Sequence, residues 1–195
     1  MNALNEVTVY LVQTVIGIYL LIMLMRFVLQ LSLADFYNPV SQFLVRATNP
    51  LVVPLRRILP ARGRFDAASF VLATLIQLVG IIALLLMNGF SLPGVSLLLA
   101  WSVVAVAGLL VKIYLFALFG MIILSWVAPG TSHPAAYLLL QITEPVMAPF
   151  RKLLPPMGGM DFSPILVLIL INILSIILRN VAVGIGLHPA LVMGI

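Results

Sequence analysis

The sequence predicts an all-α polytopic membrane protein, with four transmembrane helices in two parallel repeats, each carrying an amphipathic interfacial loop helix or helices. Three observations predict it. Hydrophobic residues make up 64% of the 195-residue chain and charged residues only 8%, against roughly 45–50% and about 25% in ordinary soluble domains. Lipid must therefore be the solvent for most of the surface. Four apolar runs are each long enough to cross a hydrocarbon layer of about 30 Å as a helix. Finally, the chain is written twice, with an offset of 95 residues.

The repeat is clearest where Thr48-Asn49-Pro50 through Pro60 recurs as Thr143-Glu144-Pro145 through Pro155. The same offset pairs Tyr19 with Tyr114, Pro39 with Pro134, Gly63 with Gly158 and Asp66 with Asp161. Without a gap between residues 19 and 66, 13 of 48 pairs are identical. Leucine matches are cheap in so apolar a chain. Four prolines, an arginine, a glycine and an aspartate in register are not, and a repeat of this kind decides the architecture before any other signal.

The candidate spans are Val7–Leu31, Ala67–Met87, Val103–Val127 and Ile165–Val183. The third belongs to a longer apolar run that begins near Val95. Each unit is then helix, polar loop, helix, and because a unit crosses twice both copies have the same orientation. The units cover 7–88 and 95–184, with 185–195 a short tail. The segment before the first span carries Glu6 and no Lys or Arg, so it lacks the basic n-region of a signal peptide. It is expected to stay as an uncleaved membrane helix, although Ser32-Leu33-Ala34 resembles a cleavage site.

Orientation follows the Lys and Arg of short loops. The first intra-repeat loop holds Arg46, Arg56, Arg57, Arg62 and Arg64, and the second holds Arg151 and Lys152. The link around Asn88–Gly94 holds none, and only Arg179 dissents. Both loops are expected in the cytoplasm and both termini outside. Within the loops, Val40, Phe43, Leu44 and Ala47 fall at helical spacing, as do Ala135, Leu138, Leu139 and Ile142. A second short helix is expected to start at Asn49-Pro50, where Pro50 suits a first turn, and likewise at Pro145. Leu51, Leu55, Ile58 and Leu59 share one face of it, flanked by Arg56 and Arg57. Val146, Phe150, Leu153 and Leu154 repeat that face beside Arg151 and Lys152. This is the pattern of helices lying at the membrane surface or re-entering it, with the four basic residues drawn to anionic headgroups or to a protein partner. Pro54 and Pro149 recur within these segments. Pro60 and Pro155 end them, and Gly63 and Gly158 lie in the turn back to the membrane.

No catalytic constellation emerges, so no enzyme activity is expected. There is no cysteine, hence no disulfide, thiolate nucleophile or thiolate metal site. His133 and His188 share no metal-ligand spacing, and no cofactor motif is present. The net charge of +5 is small and sits in loops, which favours an anionic membrane face over nucleic acid. Asp66 and Asp161 are better read as openers of membrane helices, with an anion against the helix dipole, than as paired catalytic carboxylates. In the second copy Ser163 reads as the cap and Pro164 as the first helical residue. Arg26 and Lys112 lie inside spans, where a charge costs about 2.5–3.5 kcal/mol or more. Snorkelling, or an ion pair with Asp66 or Asp161, accounts for Arg26. Lys112 is deeper, and either a functional or interhelical role or snorkelling fits it. Gln13, Gln77 and Asn172 suit interhelical hydrogen bonds.

These residues suggest a family. Asn49-Pro50 through Arg56-Arg57 to Pro60, and still more Glu144-Pro145-Val146-Met147-Ala148-Pro149-Phe150-Arg151-Lys152 with Gly158-Gly159-Met160-Asp161-Phe162-Ser163-Pro164, resemble the signature of YggT proteins. The resemblance covers essentially the whole chain as two YggT units. The first copy departs at Arg62-Gly63-Arg64-Phe65-Asp66-Ala67-Ala68-Ser69, where the double glycine and Phe-Ser-Pro are lacking. The resemblance implies a multi-pass protein of the bacterial inner membrane without established enzymatic activity. Members have been linked to cell division and membrane organisation, cytochrome b maturation in plastids, and osmotic tolerance. The expected role is a non-enzymatic scaffold or assembly factor working with a membrane-protein partner, with a small-solute or ion conduit as the alternative. For topology, reporter fusions at residues 62 and 157 are expected to read as cytoplasmic, and fusions at 90 and 195 as external. The reverse pattern would overturn the orientation.

Overall fold

The computed structural model describes residues 3–128, 130–153 and 161–188. The described residues form six helices: α1 Ala3–Leu31, α2 Pro39–Arg56, α3 Ala67–Met87, α4 Val95–Val127, α5 Pro134–Leu153 and α6 Ser163–Gly184. Helices α1, α3, α4 and α6 are long and apolar enough to cross a membrane, and α2 and α5 are the amphipathic loop helices. The second span begins and ends where the sequence placed it. The third is longer than expected, starting at Val95 and not Val103. No proline interrupts the chain between Pro93 and Pro129, and Leu98, Trp101 and Ser102 in the added turns are buried. At about 1.5 Å per residue α4 is about 50 Å long, so it outreaches a hydrocarbon layer.

Each unit packs as a triangle. Helix α1 lies against α2 and α3, and α4 lies against α5 and α6, while the loop helix also touches the returning span in both units. The units meet along α3 and α4, with smaller contacts of α1 with α4 and α2 with α5. The largest core runs through both units, from Leu20, Leu24 and Phe27 of α1 to Val106 and Ile113 of α4 and Ile142 of α5. A second core at the end away from the loop helices joins Ile81, Leu98 and Trp101 to Ala182 and Leu187, where the Trp101 indole N–H donates to the Ile185 carbonyl at 2.8 Å. Gly80 allows α1 close to α3, since a Cβ there would stand 3.0 Å from Cγ2 of Ile16.

The loops correct the expectation of two short helices each. Helix α2 runs unbroken through Pro50 and Pro54, and α5 through Pro145 and Pro149. A helical proline removes one N–H and crowds the carbonyl four residues back, so Pro50 leaves the Arg46 carbonyl without its helical donor. Helix α1 is anchored on either side of that point: Arg26 Nη1 donates to the Val45 carbonyl at 3.3 Å and the Tyr19 hydroxyl to the Ala47 carbonyl at 3.4 Å. Tertiary contact thus carries the helix across a residue that would end it in isolation. Past Arg56, turn hydrogen bonds keep the chain winding to Leu59, directly before Pro60. Pro155 and Gly158, with Leu154 and Gly159, lie outside the described residues.

The buried stripe of each loop helix also differs from the expected one. It is Ser41, Leu44, Thr48 and Val52 in α2, and Ala136, Leu138, Ile142, Thr143 and Met147 in α5. Leu55 and Leu59 do pack on the core, but Leu51 and Ile58 remain exposed. The helix starts are capped by the residue before proline in both copies. The Asn38 side chain accepts from the Val40 N–H at 3.0 Å, and Nδ1 of His133 from the Ala135 N–H at 3.2 Å. Two bonds then tie the loops of the two units together. Asn38 Nδ2 donates to the Pro134 carbonyl at 2.8 Å, and the Asp35 N–H to Gln141 Oε1 at 2.9 Å.

Candidate functional site

The charged residues of the repeat converge where each loop helix ends and the returning span begins. In the first unit Arg56 closes α2 and Asp66 precedes α3. Two bonds join them, Nη2 to Oδ2 at 2.6 Å and Nε to Oδ1 at 3.3 Å. The same carboxylate accepts from the Ser69 hydroxyl at 2.5 Å and caps the helix through the Ser69 N–H at 3.5 Å. The Asp66 side chain is wholly buried, while that of Arg56 is 33% exposed. Burial pushes the Asp66 carboxyl up, but the bonds from Arg56 and Ser69 outweigh it and hold the group below the usual carboxylate range. A turn from Arg62 to Phe65, closed by paired backbone bonds of 3.0 and 3.1 Å, brings the two ends together. Gly63 adopts φ +58° in it, a conformation that costs glycine little.

The second unit repeats the pair with a difference. Arg151 Nε donates to Asp161 Oδ2 at 3.0 Å, and Arg151 Nη1 to Glu144 Oε2 at 2.5 Å. These side chains are more exposed, 38% for Asp161 and 39% for Arg151. Burial lowers the Arg151 guanidinium, but the bonds and charges of its two carboxylates together outweigh that and raise it above its ordinary range. Asp161 is pushed up by burial and, more strongly, held down by Ser163 and Arg151. The helix start departs from the expected cap. Ser163 is the first helical residue, and the Asp161 carboxylate takes its N–H at 2.9 Å. The reason is that an aspartate two residues ahead accepts from the backbone where a serine inside the helix does not.

Arg26 forms neither the expected ion pair nor a snorkelled contact. It is 3% exposed, and its Nη1 donates to Thr48 Oγ1 at 2.7 Å and Asn49 Oδ1 at 2.8 Å. Asp66 is already occupied by Arg56 and Ser69, so the polar face of α2 receives Arg26 in its place. In the second unit Met121 stands at the equivalent position and Glu144 at that of Asn49. With no arginine to meet, Glu144 turns to Arg151. The two threonines at the centre, Thr48 and Thr143, each donate to the carbonyl four residues back, at 2.6 and 2.8 Å.

Of the four basic residues expected at the surface, Arg57 and Lys152 are exposed, and Arg56 and Arg151 are engaged in the pairs. Arg64 and Lys152 line one groove of about 760 Å³ between the loops, with Gln141 and Glu144. Lys112 stands between two cavities. One, about 690 Å³ between α1, α4 and α5, is otherwise apolar, with Ile18, Leu21, Phe116 and Leu139 among its walls. The other, about 220 Å³ between α4 and α6, is shared with Asn172, Ser175 and Arg179. Sequence reasoning missed Asn49, Glu144, Gln141 and the two threonines as working residues. The in-register recurrence of Thr48 as Thr143, and of an arginine ten residues ahead of an aspartate in both copies, was the signal available. Among the described residues no cluster of three or more His, Asp or Glu could hold a metal.

A family model described as CCB3/YggT matches residues 5–87 and again 100–182. An uncharacterized protein of Pseudomonas aeruginosa is 50% identical over 193 residues, covering 98% of each chain. The uncharacterized YggT of Escherichia coli K12 is 38% identical over 194 residues, 98% of this chain and 100% of its own. The uncharacterized ycf19 of Porphyra purpurea is 34% identical over 92 residues, 47% of this chain but 93% of its own. That relative is therefore about one unit long. No solved structure matches.

The two pairs differ in burial, and their removal is expected to differ in cost. Asp66→Asn should destabilise the detergent-solubilised protein by about 2–3 kcal/mol, between the values for exposed and buried pairs, and Asp161→Asn by about 1 kcal/mol or less. Both carboxyls are held low in the folded state, so their contribution is present above about pH 4 and lost as pH falls through the folded-state values. Thermal unfolding between pH 7 and pH 3 should show wild type losing stability on the acid side, with a smaller loss in Asp66→Asn. Equal costs for the two variants at pH 7 would contradict the burial argument.

Proposed function

The chain belongs to the CCB3/YggT family, and we propose that it works as a non-enzymatic scaffold or assembly factor of the bacterial inner membrane. In this reading the loop helices lie at the cytoplasmic face and both termini are external. Helices α2 and α5 offer their exposed residues to anionic lipid and to a membrane-protein partner, in membrane-protein assembly or cell division. One observation carries the reading. Each loop helix is braced by its ion pair, Arg56–Asp66 or Arg151–Asp161, and by the Asn38 and Gln141 bonds between units, and α2 also by Arg26 from α1. A surface held this rigidly, yet leaving Arg46, Arg57, Lys152, Phe43, Leu51 and Ile58 exposed, is pre-organised for docking and loses little entropy on binding.

The conduit alternative needs a continuous wet path through the spans. Lys112 and Asn172 do share a cavity, but Gln77 is not among its described lining residues. The side chains of Thr74, Ser102, Asn172 and Ser175 each donate to a carbonyl three or four residues back in their own helix. The scaffold reading is tested by two measurements on one protein. Proteoliposomes holding wild type or Lys112→Leu should show no ion or solute flux above empty vesicles. Photocrosslinkers at positions 57 and 152 should join the chain to one defined membrane protein, whereas a crosslinker at position 90 should not. Flux abolished by Lys112→Leu would establish the conduit instead.

A further inference from the structure

Pro145 and Pro149 shape the surface of α5 as well as its backbone. Proline has no N–H, so each leaves the carbonyl four residues back without its helical donor. Those carbonyls belong to Gln141 and Pro145, and both residues line the groove of about 760 Å³ between the loops. One face of α5, at spacings of three and four from Gln141 to Leu153, forms the long wall of this groove. At about 1.5 Å per residue that wall is about 18 Å long. Ser32, just past α1, and Arg64, in the turn before α3, line it from the first unit, so both units build the groove.

The charges of the groove are unequal. Arg64 and Lys152 are exposed, and neither joins an ion pair among the described residues. Glu144 lines the groove too, but Arg151 already holds its carboxylate. The Gln141 amide accepts the Asp35 N–H through Oε1, which leaves its own N–H groups as donors. Ala148, Pro149 and Leu153 supply apolar wall beside these polar points. The matching occupant therefore carries negative charge, apolar side chains and N–H donors for the freed carbonyls. An extended peptide has all three, and at about 3.4 Å per residue about five residues span the wall. Spread over the length of the wall, 760 Å³ gives a cross-section of about 40 Å², about half that of a helix about 10 Å across. A phosphodiester headgroup brings charge, but it has no row of N–H donors and fills one end only.

We infer that this groove binds an extended acidic segment of a protein partner, with carboxylates on Arg64, Lys152 and the Gln141 amide. Arg64 takes a carboxylate through its planar fork and Lys152 as a point charge. Main-chain N–H groups of the segment donate to the carbonyls of Gln141 and Pro145, and its apolar side chains lie on Ala148, Pro149 and Leu153. This assignment rests on the scaffold reading, to which it adds the chemistry of the partner.

The test uses the full chain in neutral detergent and a fluorescein-labelled pentapeptide of alternating glutamate and leucine, followed by fluorescence anisotropy. The peptide should bind with a dissociation constant of about 10–100 μM, more weakly as salt is added. Its counterpart with glutamine for glutamate should bind about tenfold more weakly, and so should the acidic peptide to Arg64→Gln/Lys152→Gln. Arg179→Gln, which removes a charge at the end away from the loop helices, should change binding by less than about twofold. All three arginine and lysine positions are exposed, and an unchanged unfolding midpoint checks the fold of each variant. The chain has no cysteine, so Ala148→Cys can be labelled at a single point with a bulky maleimide. Binding should survive in the unlabelled variant and be lost on labelling, while labelled Phe90→Cys keeps it. Binding unchanged by the label at position 148, or equal for the glutamine peptide, would overturn the groove. Displacement of the peptide by equimolar dioleoylphosphatidylglycerol, and not by dioleoylphosphatidylcholine, would make it a lipid headgroup site and overturn the peptide assignment. Failure of the peptide to bind, beside a partner crosslinked at position 57, would overturn the groove and leave the scaffold reading standing.

Discussion

The structure depends on an arginine and an aspartate ten residues apart that tie the end of each loop helix to the start of the next span. Without that tie, an amphipathic helix interrupted by two prolines has little reason to stay against the bundle. With it, the helix end is fixed at a point where the chain must re-enter lipid and every backbone group needs a partner. The carboxylate satisfies three demands together: it neutralises the guanidinium, accepts from the first turn of the span and offsets the helix dipole. That gives a physical reason for the two residues to recur in both units.

The units differ in what surrounds the tie. In the first, Arg26 reaches from α1 into the polar face of α2, and Asp66 is sealed from solvent. In the second, Met121 replaces the arginine, Glu144 replaces Asn49, and the pair opens into a three-membered group that stays partly exposed. The exchange is coherent, since a carboxylate at position 49 would face Arg26 and draw it from its neutral acceptors. The first pair is therefore the more buried, and the second is partly open to solvent. The groove that joins Arg64 to Lys152 lies where the two loops meet.

Much of this was legible in the residues. Apolar runs placed the four spans because lipid imposes a length, and the offset of 95 residues placed the units. The family signature in Glu144–Lys152 and Asp161–Pro164 was equally readable. What failed was local reasoning at the prolines. Pro50 and Pro145 signal a helix start when only the chain around them is considered, but packing against the spans lets α2 and α5 continue. The position of Arg26 was misread for a related reason. Its distance from Asp66 was a fair inference from the helix ends, but competition from Arg56 was not visible without the turn at Gly63. Lys112 and Arg179 looked like separate anomalies because nothing in a sequence sets the relative depth of two antiparallel helices. The Trp101–Ile185 bond does.

A double-mutant cycle between Arg56→Gln and Asp66→Asn, measured by equilibrium unfolding at neutral pH, tests the central interaction most directly. The account predicts that the two substitutions are strongly non-additive, with a coupling energy of about 1–3 kcal/mol, because either one alone releases the helix end. Additive effects within about 0.5 kcal/mol would mean that the pair does not hold α2 to α3, and that packing of Thr48 and Val52 alone keeps the loop helix in place.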